Sequence, residues 1–422
     1  MSKGKFSFFK IIINAILALG PAFYVVGYTI GTGSIVTMAS AGSKYGMTML
    51  WALVLACVFS YILLRAYGRY TIVTGEGALF GIKKHIKGGK YISIGLLISL
   101  IFVEVLALVG IMGIVTDLIH SYSAMLYGGE GWNTVIVAVV ISLLIYALLL
   151  IGNFSLFEKT LIVIVAIMGL SFLMTLFVTP INVIDLANGI IPSIPKGTNT
   201  ALLLAAIVGT TFTAPTFVVR GILMKEKKWE LSQLKHSRKD ALQGVIMMFL
   251  ISGSIMLVAA NTLFVEGTPV DNVIVMVQLL EPLLGRFAIS IFVAGILGAA
   301  LSSIIPILML APLLISDYKN EKVGYKGKTF RMISAIVLVL GLIVPIFGAR
   351  PVGVMILSQA FQVFILPVVV LAMWYLINRN DLLKDYIVSK WMNFGFIFML
   401  FFTIGITYAA IIGLMESLKT IF

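Results

Sequence analysis

Charge is what this chain has least of. Charged residues make up 11% of it, against about 25% in a soluble globular domain, and that deficit excludes a water-soluble fold of ordinary composition. Cysteine is almost missing as well. Cys57 is the only one and lies inside an apolar stretch, so disulfides hold nothing together. No Walker-type phosphate loop is present and no polar stretch is large enough for an ATPase domain, which excludes a primary pump. No cluster of nucleophile, base and acid stands out, so an enzyme is not expected. An acidic ring or a pore-lining polar face, which a channel would need, is absent too. No cleavable signal peptide is expected. Met1 to Lys10 is a short basic head, and the apolar run behind it is too long for a signal sequence.

What is there instead is apolar: 60% of the 422 residues are hydrophobic. A spanning helix needs about 20 such residues in a row. Eleven stretches qualify, at about 12–40, 47–67, 91–121, 133–152, 157–179, 200–223, 241–264, 285–316, 330–348, 353–378 and 391–415. The expected class is an all-α integral membrane protein with a single transmembrane domain over 1–422. The net charge of +13 does not imply a nucleic-acid partner, because the basic residues fall between spans. Alternate connections carry nearly all of them, including Lys3, Lys5, Lys83, Lys84, Lys225, Lys227, Lys235, Arg238, Lys319 and Lys322. The intervening connections hold little beyond Lys44, Lys196, Arg286 and Arg350. The positive-inside rule then puts the N-terminus in the cytoplasm, and an odd span count puts Phe422 outside. A prokaryotic plasma membrane is the expected setting, and a monomer is compatible with it.

Two spans are interrupted. Gly31-Thr32-Gly33-Ser34 breaks the first, with two glycines suited to left-handed or extended backbone. Gly209-Thr210-Thr211-Phe212-Thr213-Ala214-Pro215-Thr216 breaks the sixth, where proline removes a donor and threonines can bond the freed backbone. Spans one to five (about 12–179) and six to ten (about 200–378) each open with such a break. Because five is odd, the halves have opposite polarity. That is a 5+5 inverted repeat, with broken helices meeting near the midplane and span eleven, about 391–415, a peripheral addition. Small residues inside spans, such as Gly95, Gly110, Gly113, Gly253 and Gly295, are expected to let helices pack closely.

Several stretches resemble the Nramp group of divalent-metal transporters, which have the LeuT-type fold. Gly20-Pro21-Ala22-Phe23 resembles the family's opening, and Ala41-Gly42-Ser43-Lys44-Tyr45-Gly46 its link into span two. Thr71 to Gly75, Phe157-Glu158-Lys159, Leu297 to Ser303 and Ile356-Leu357-Ser358-Gln359 continue the likeness in order. The resemblance implies a metal site at the two breaks, but the chain departs there. The family's Asp-Pro-Gly-Asn falls on Gly31, Thr32, Gly33 and Ser34. Its Met-Pro-His falls on Thr213, Ala214 and Pro215 in a gapless reading. A one-residue shift that aligns the prolines restores neither Met nor His. A later family His falls on Arg220.

The breaks therefore offer neutral groups only: Gly31 and Gly33 backbone, and the hydroxyls of Thr32, Ser34, Thr210, Thr211, Thr213 and Thr216. Neutral oxygens alone are poor compensation for a stripped divalent ion. Free helix N-termini favour an anionic group. The expectation is thus a secondary carrier of a small carboxylate-bearing anion or a metal–carboxylate complex, with no direct metal ligand and no cofactor. The alternative is a divalent cation (Mn²⁺, Fe²⁺ or Mg²⁺), with proton coupling. Gln359 is a further candidate neighbour of the site. Glu104, a carboxylate deep in a span, reads either as a coupling group or as a structural partner of a neighbouring helix. Arg220 reads as an anion attractor, an inner-gate lock or an interfacial anchor.

Overall fold

The computed structural model describes residues 29, 31–151, 174–175, 183–197, 199–279, 288–322 and 327–421. Among these the chain is helical and contains no strand. The helices used below are α1 (Thr32–Tyr45), α2 (Leu50–Thr74), α3 (Ala78–His85), α4 (Gly89–Tyr127), α5 (Thr134–Ile151), α6 (Val183–Gly189), α7 (Thr200–Thr211), α8 (Ala214–Glu226), α9 (Leu234–Asn261), α10 (Ala288–Lys319), α11 (Lys328–Leu340), α12 (Ile343–Phe347), α13 (Pro351–Phe361), α14 (Leu366–Ile377) and α15 (Lys390–Ile421). Eight stretches among the described residues are long and apolar enough to cross a bilayer. Of the expected spans, 157–179 except residues 174 and 175, and 12–30 except residue 29, lie outside the described residues.

The second break falls where its threonines and proline suggest. α7 stops at Thr211, Phe212 and Thr213 leave helical geometry, and α8 restarts with Pro215 in its first turn. The first break differs from expectation. Only Gly31 is extended, with φ −97° and ψ −168°, and α1 begins at Thr32. Thr32, Gly33 and Ser34 form a helical turn, so Gly33 is not there for left-handed backbone. A Cβ on Gly33 would sit 2.7 Å from Gln359 Nε2, and one on Gly31 would sit 1.7 Å from Ser303 Oγ. Both glycines are present because other helices come close.

Three prolines break the ladder in one consistent way. Proline has no N–H, so the carbonyl four residues earlier loses its helical donor. For Pro215 that carbonyl is Thr211, and Ser60 Oγ of α2 donates to it at 3.1 Å. For Pro312, inside α10, it is Leu308, which accepts from Ser334 Oγ of α11 at 2.9 Å. For Pro367 it is Val363. That carbonyl takes the Leu366 N–H in a tighter 3₁₀ bond and Thr407 Oγ1 of α15 at 3.1 Å. The hydroxyls come from neighbouring helices. The break's own Thr211 and Thr216 hydroxyls make no such bonds. The 3₁₀ turn Gln362–Ile365 interrupts a span expected to run unbroken over 353–378.

Close packing uses some of the expected small residues. A Cβ on Gly110 would lie 3.1 Å from Met355 Cα, setting α4 against α13, and one on Gly113 would lie 2.4 Å from Val344 Cγ1 of α12. Gly95 and Gly295 meet nothing within 4 Å and play no such part. α15 is the least buried of the eight spans, yet one face of it is packed. A Cβ on Gly413 would lie 2.5 Å from the Leu202 backbone nitrogen, so α15 rests directly on α7.

Candidate functional site

The first turn of α1, the break before α8, the middle of α4, the wall of α10 and the end of α13 converge on one small cavity of about 30 Å³. Gly31, Gly33 and Ser34 face it from α1, Thr210 and Thr213 from the second break, and Gln359 from α13. The two breaks thus share a cavity. Glu104 reaches it from α4, beside Ala107 and Ile111.

A hydrogen-bonded chain runs along one wall. Thr213 Oγ1 donates to Gln362 Oε1 at 3.2 Å, and Gln362 Nε2 donates to Glu104 Oε1 at 2.9 Å. The threonine fixes which way the amide points, and the amide N–H holds one oxygen of the carboxylate. On the far side, Ser34 Oγ and Ser252 Oγ of α9 share a bond of 3.0 Å. The Gln359 amide is held loosely, with Nε2 3.5 Å from Met355 Sδ and 3.4 Å from Ser358 Oγ. Ser303 Oγ is buried without a protein partner, directly across from Gly31. The cavity is therefore rich in oxygen. Among the described residues that line it, Glu104 is the one carboxylate and there is no cationic side chain.

Not every expected residue is here. Thr32, Thr211 and Thr216 are buried but do not line the cavity. Arg220 is fully buried a turn and a half beyond the break. Its guanidinium donates to the Leu64 carbonyl, to Ser237 O at 2.8 Å and to Asp240 Oδ2 at 3.1 Å. It ties α8 to α2 and α9, and it cannot attract an anion into the cavity. The expected anion would thus face the Glu104 carboxylate, with no cationic side chain among the described residues that line the cavity. Gln362, Ser303 and Ser252 were not anticipated. Gln362 had a signal: it follows Gln359 by three residues in an otherwise apolar run, and residues three apart share a helix face.

At the end away from the basic connections, a larger cavity of about 620 Å³ lies between the end of α1 and the starts of α7 and α13. Lys44, Asp117, Asn199, Asp271 and Arg350 line it, and Lys44 pairs with Asp271 at 3.4 Å. Toward the other end, Phe212 packs against Phe59 and Phe217, with ring centroids 6.2 and 5.3 Å away. An apolar plug thus lies under the second break.

The sequence profile of the family described as "Natural resistance-associated macrophage protein-like", Nramp, matches residues 22–413. The "Divalent metal cation transporter MntH" of Bacillus subtilis (strain 168) is 24% identical over 386 residues, covering 89% of this chain and 87% of its own. Among solved structures, the Eremococcus coleocola manganese transporter bound to an aromatic bis-isothiourea compound superposes with a TM-score of 0.73 at 14% identity, covering 96% of this chain and 87% of that one. MhsT in complex with L-phenylalanine superposes with a TM-score of 0.59 at 13% identity, covering 94% and 98%. At such identities these likenesses establish the fold, which is of the LeuT type.

Proposed function

Because the chain belongs to the Nramp family, we propose that it is a secondary transporter, and that its cargo is a hard divalent cation kept partly hydrated. The observation that carries this is the charge of the cavity lining: among the described residues it holds one carboxylate, Glu104, with hydroxyl and amide oxygens and no cationic side chain. An ionised carboxylate in such a place calls for a cation or a proton. Oxygen donors of this kind suit Mg²⁺ or Mn²⁺ more than softer ions. A single negative charge offsets half of a divalent charge, so the ion keeps part of its water, as Mg²⁺ does in most protein sites. Pro306 supports this reading. It deprives the Ser302 carbonyl of its helical donor, one residue from the partnerless Ser303 hydroxyl. Relatives named as divalent metal cation transporters point the same way.

In this reading the acidic ligand sits on α4, where the family's break-centred pattern has given way to Gly31 and Thr213. Glu104, Gln362, Gln359, Ser34, Thr213 and Ser303 are the proposed binding residues. One observation favours a second reading, a metal–carboxylate complex: α1 and α8 both start at the cavity with no side-chain cap. Their free N–H groups would receive the carboxylate while Glu104 holds the metal.

Titration calorimetry with Mn²⁺, Mg²⁺, citrate and each metal with citrate tests both. The expected result is binding of a divalent ion alone, weakened at least about tenfold by Glu104→Gln, the size of one lost charge-assisted contact. Binding only in the presence of citrate supports the complex. Unchanged metal binding by Glu104→Gln, or tight binding of citrate alone, overturns the cation reading.

A further inference from the structure

A third cavity, remote from the first, lies between the far end of α2 and the start of α9. It has a volume of about 170 Å³ and is lined by Arg65, Arg69, Lys235 and Arg238, with Ser237 and Tyr386 beside them. No carboxylate lines it among the described residues. Arg65 and Arg69 are one turn apart on α2, and Lys235 and Arg238 are three apart on α9, so each helix presents a like-charge pair on one face. Such pairs are mutually destabilising. α9 adds to the imbalance, because its first turn carries no acidic residue and its N-terminal end is itself partly positive.

The cations are held in place rather than dispersed. Arg69 donates to the carbonyls of Tyr386 and Ile387, each at 3.2 Å, and Arg238 Nε donates to Tyr61 Oη at 3.2 Å. Ser237, on the cavity wall, is fixed from behind by the buried Arg220. Arg65 and Lys235 make no hydrogen bond or ion pair among the described residues. Four convergent cations, two of them uncommitted, form a receptor for a phosphate-type anion.

The same helix faces continue as lipid-facing surface. Leu242 and Ile246 follow Arg238 at successive turns of α9 and are 45% and 47% exposed, and Val58 on α2, two turns before Arg65, is 48% exposed. A phosphate lodged among the four cations would therefore have apolar helix surface directly beside it. We propose that this cavity binds the phosphate headgroup of an anionic phospholipid, whose acyl chains lie along α2 and α9.

The test uses full-length protein in nanodiscs of phosphatidylcholine with a fluorescent phosphatidylglycerol titrated in. The variant is Arg65→Gln with Lys235→Gln, which removes two charges and no hydrogen bond or ion pair among the described residues. The control is Lys228→Gln with Lys319→Gln, which removes the same charge outside the cavity. The parent and the control are expected to enrich phosphatidylglycerol around themselves. The cavity variant is expected to bind it roughly thirtyfold more weakly, at about fivefold per basic residue. Equal affinity in the cavity variant and the control, or no preference for phosphatidylglycerol over phosphatidylcholine, overturns the proposal. Displacement of the lipid by millimolar inorganic pyrophosphate, with pyrophosphate binding lost in the cavity variant, also overturns it and assigns the cavity to a soluble phosphate.

Discussion

One methyl group decides how α1 meets α10. A Cβ on Gly31 would fall 1.7 Å from Ser303 Oγ and 2.9 Å from Ser303 Cβ, so Gly31→Ala must push two helices apart or displace the serine. Overpacking of this kind costs about 1–3 kcal/mol. Gly31→Ala is expected to lower the melting temperature and the affinity for cargo, and Ser303→Gly in the same chain is expected to restore the melting temperature. Thermal melts of the two single variants and the double variant in detergent check this; additive losses would mean that the contact is not the cause. Gly33→Ala meets only the movable end of Gln359 and should affect binding more than folding. The sequence marked both glycines as unusual, but letters alone do not separate conformational freedom from close approach. That distinction depends on which helix lies opposite, and Ser303 is 272 residues away in the chain. Gln359 was legible because it closes the stretch Ile356-Leu357-Ser358-Gln359 that resembles the family's span ten. Gln362 lies outside that stretch, although its bond to Glu104 makes it the better connected of the two.

Helices in this protein are broken by proline and mended from outside. Ser60, Ser334 and Thr407 each donate to a carbonyl that a proline has left without its helical donor. Removing one of these hydroxyls leaves a buried acceptor short of a donor, at about 1–3 kcal/mol. Ser60→Ala and Ser334→Ala should therefore each destabilise the protein by that amount. In a Pro312→Ala background, where residue 312 regains its N–H, Ser334→Ala should be nearly silent. Chemical denaturation of the four chains reads this directly, and an undiminished Ser334→Ala penalty without the proline would refute the pairing. At this scale the sequence was partly transparent. Thr-Pro clusters mark breaks, and the turn around Phe212 follows from them. The 3₁₀ turn at Gln362–Ile365 was hidden because its own letters hold neither Gly nor Pro. Its cause, Pro367, lies two residues beyond it, and its partner Thr407 lies on another helix.

Across the whole molecule, the described buried ion pair sits between the bilayer core and the basic end. Arg220 and Asp240 are 0% and 3% exposed at the side chain and 3.1 Å apart. Removing one member of such a pair strands the other, at about 3–5 kcal/mol, whereas replacing both with apolar residues is often neutral. Arg220→Met should therefore be strongly destabilising, and Arg220→Met with Asp240→Leu should recover most of the loss. Size-exclusion profiles and melting temperatures of the two chains would show it. α15 ties a different part of the molecule to the lipid. It rests on α7 through Gly413 and on the turn beside Gln362 through Thr407, while Trp391, Phe401 and Tyr408 project from it as exposed aromatic bulk. Any motion that shifts α7 or that turn must drag this fin sideways through lipid. The bilayer then acts as a damper on the machine, and the viscosity of the membrane enters the turnover rate as friction does in any loaded hinge.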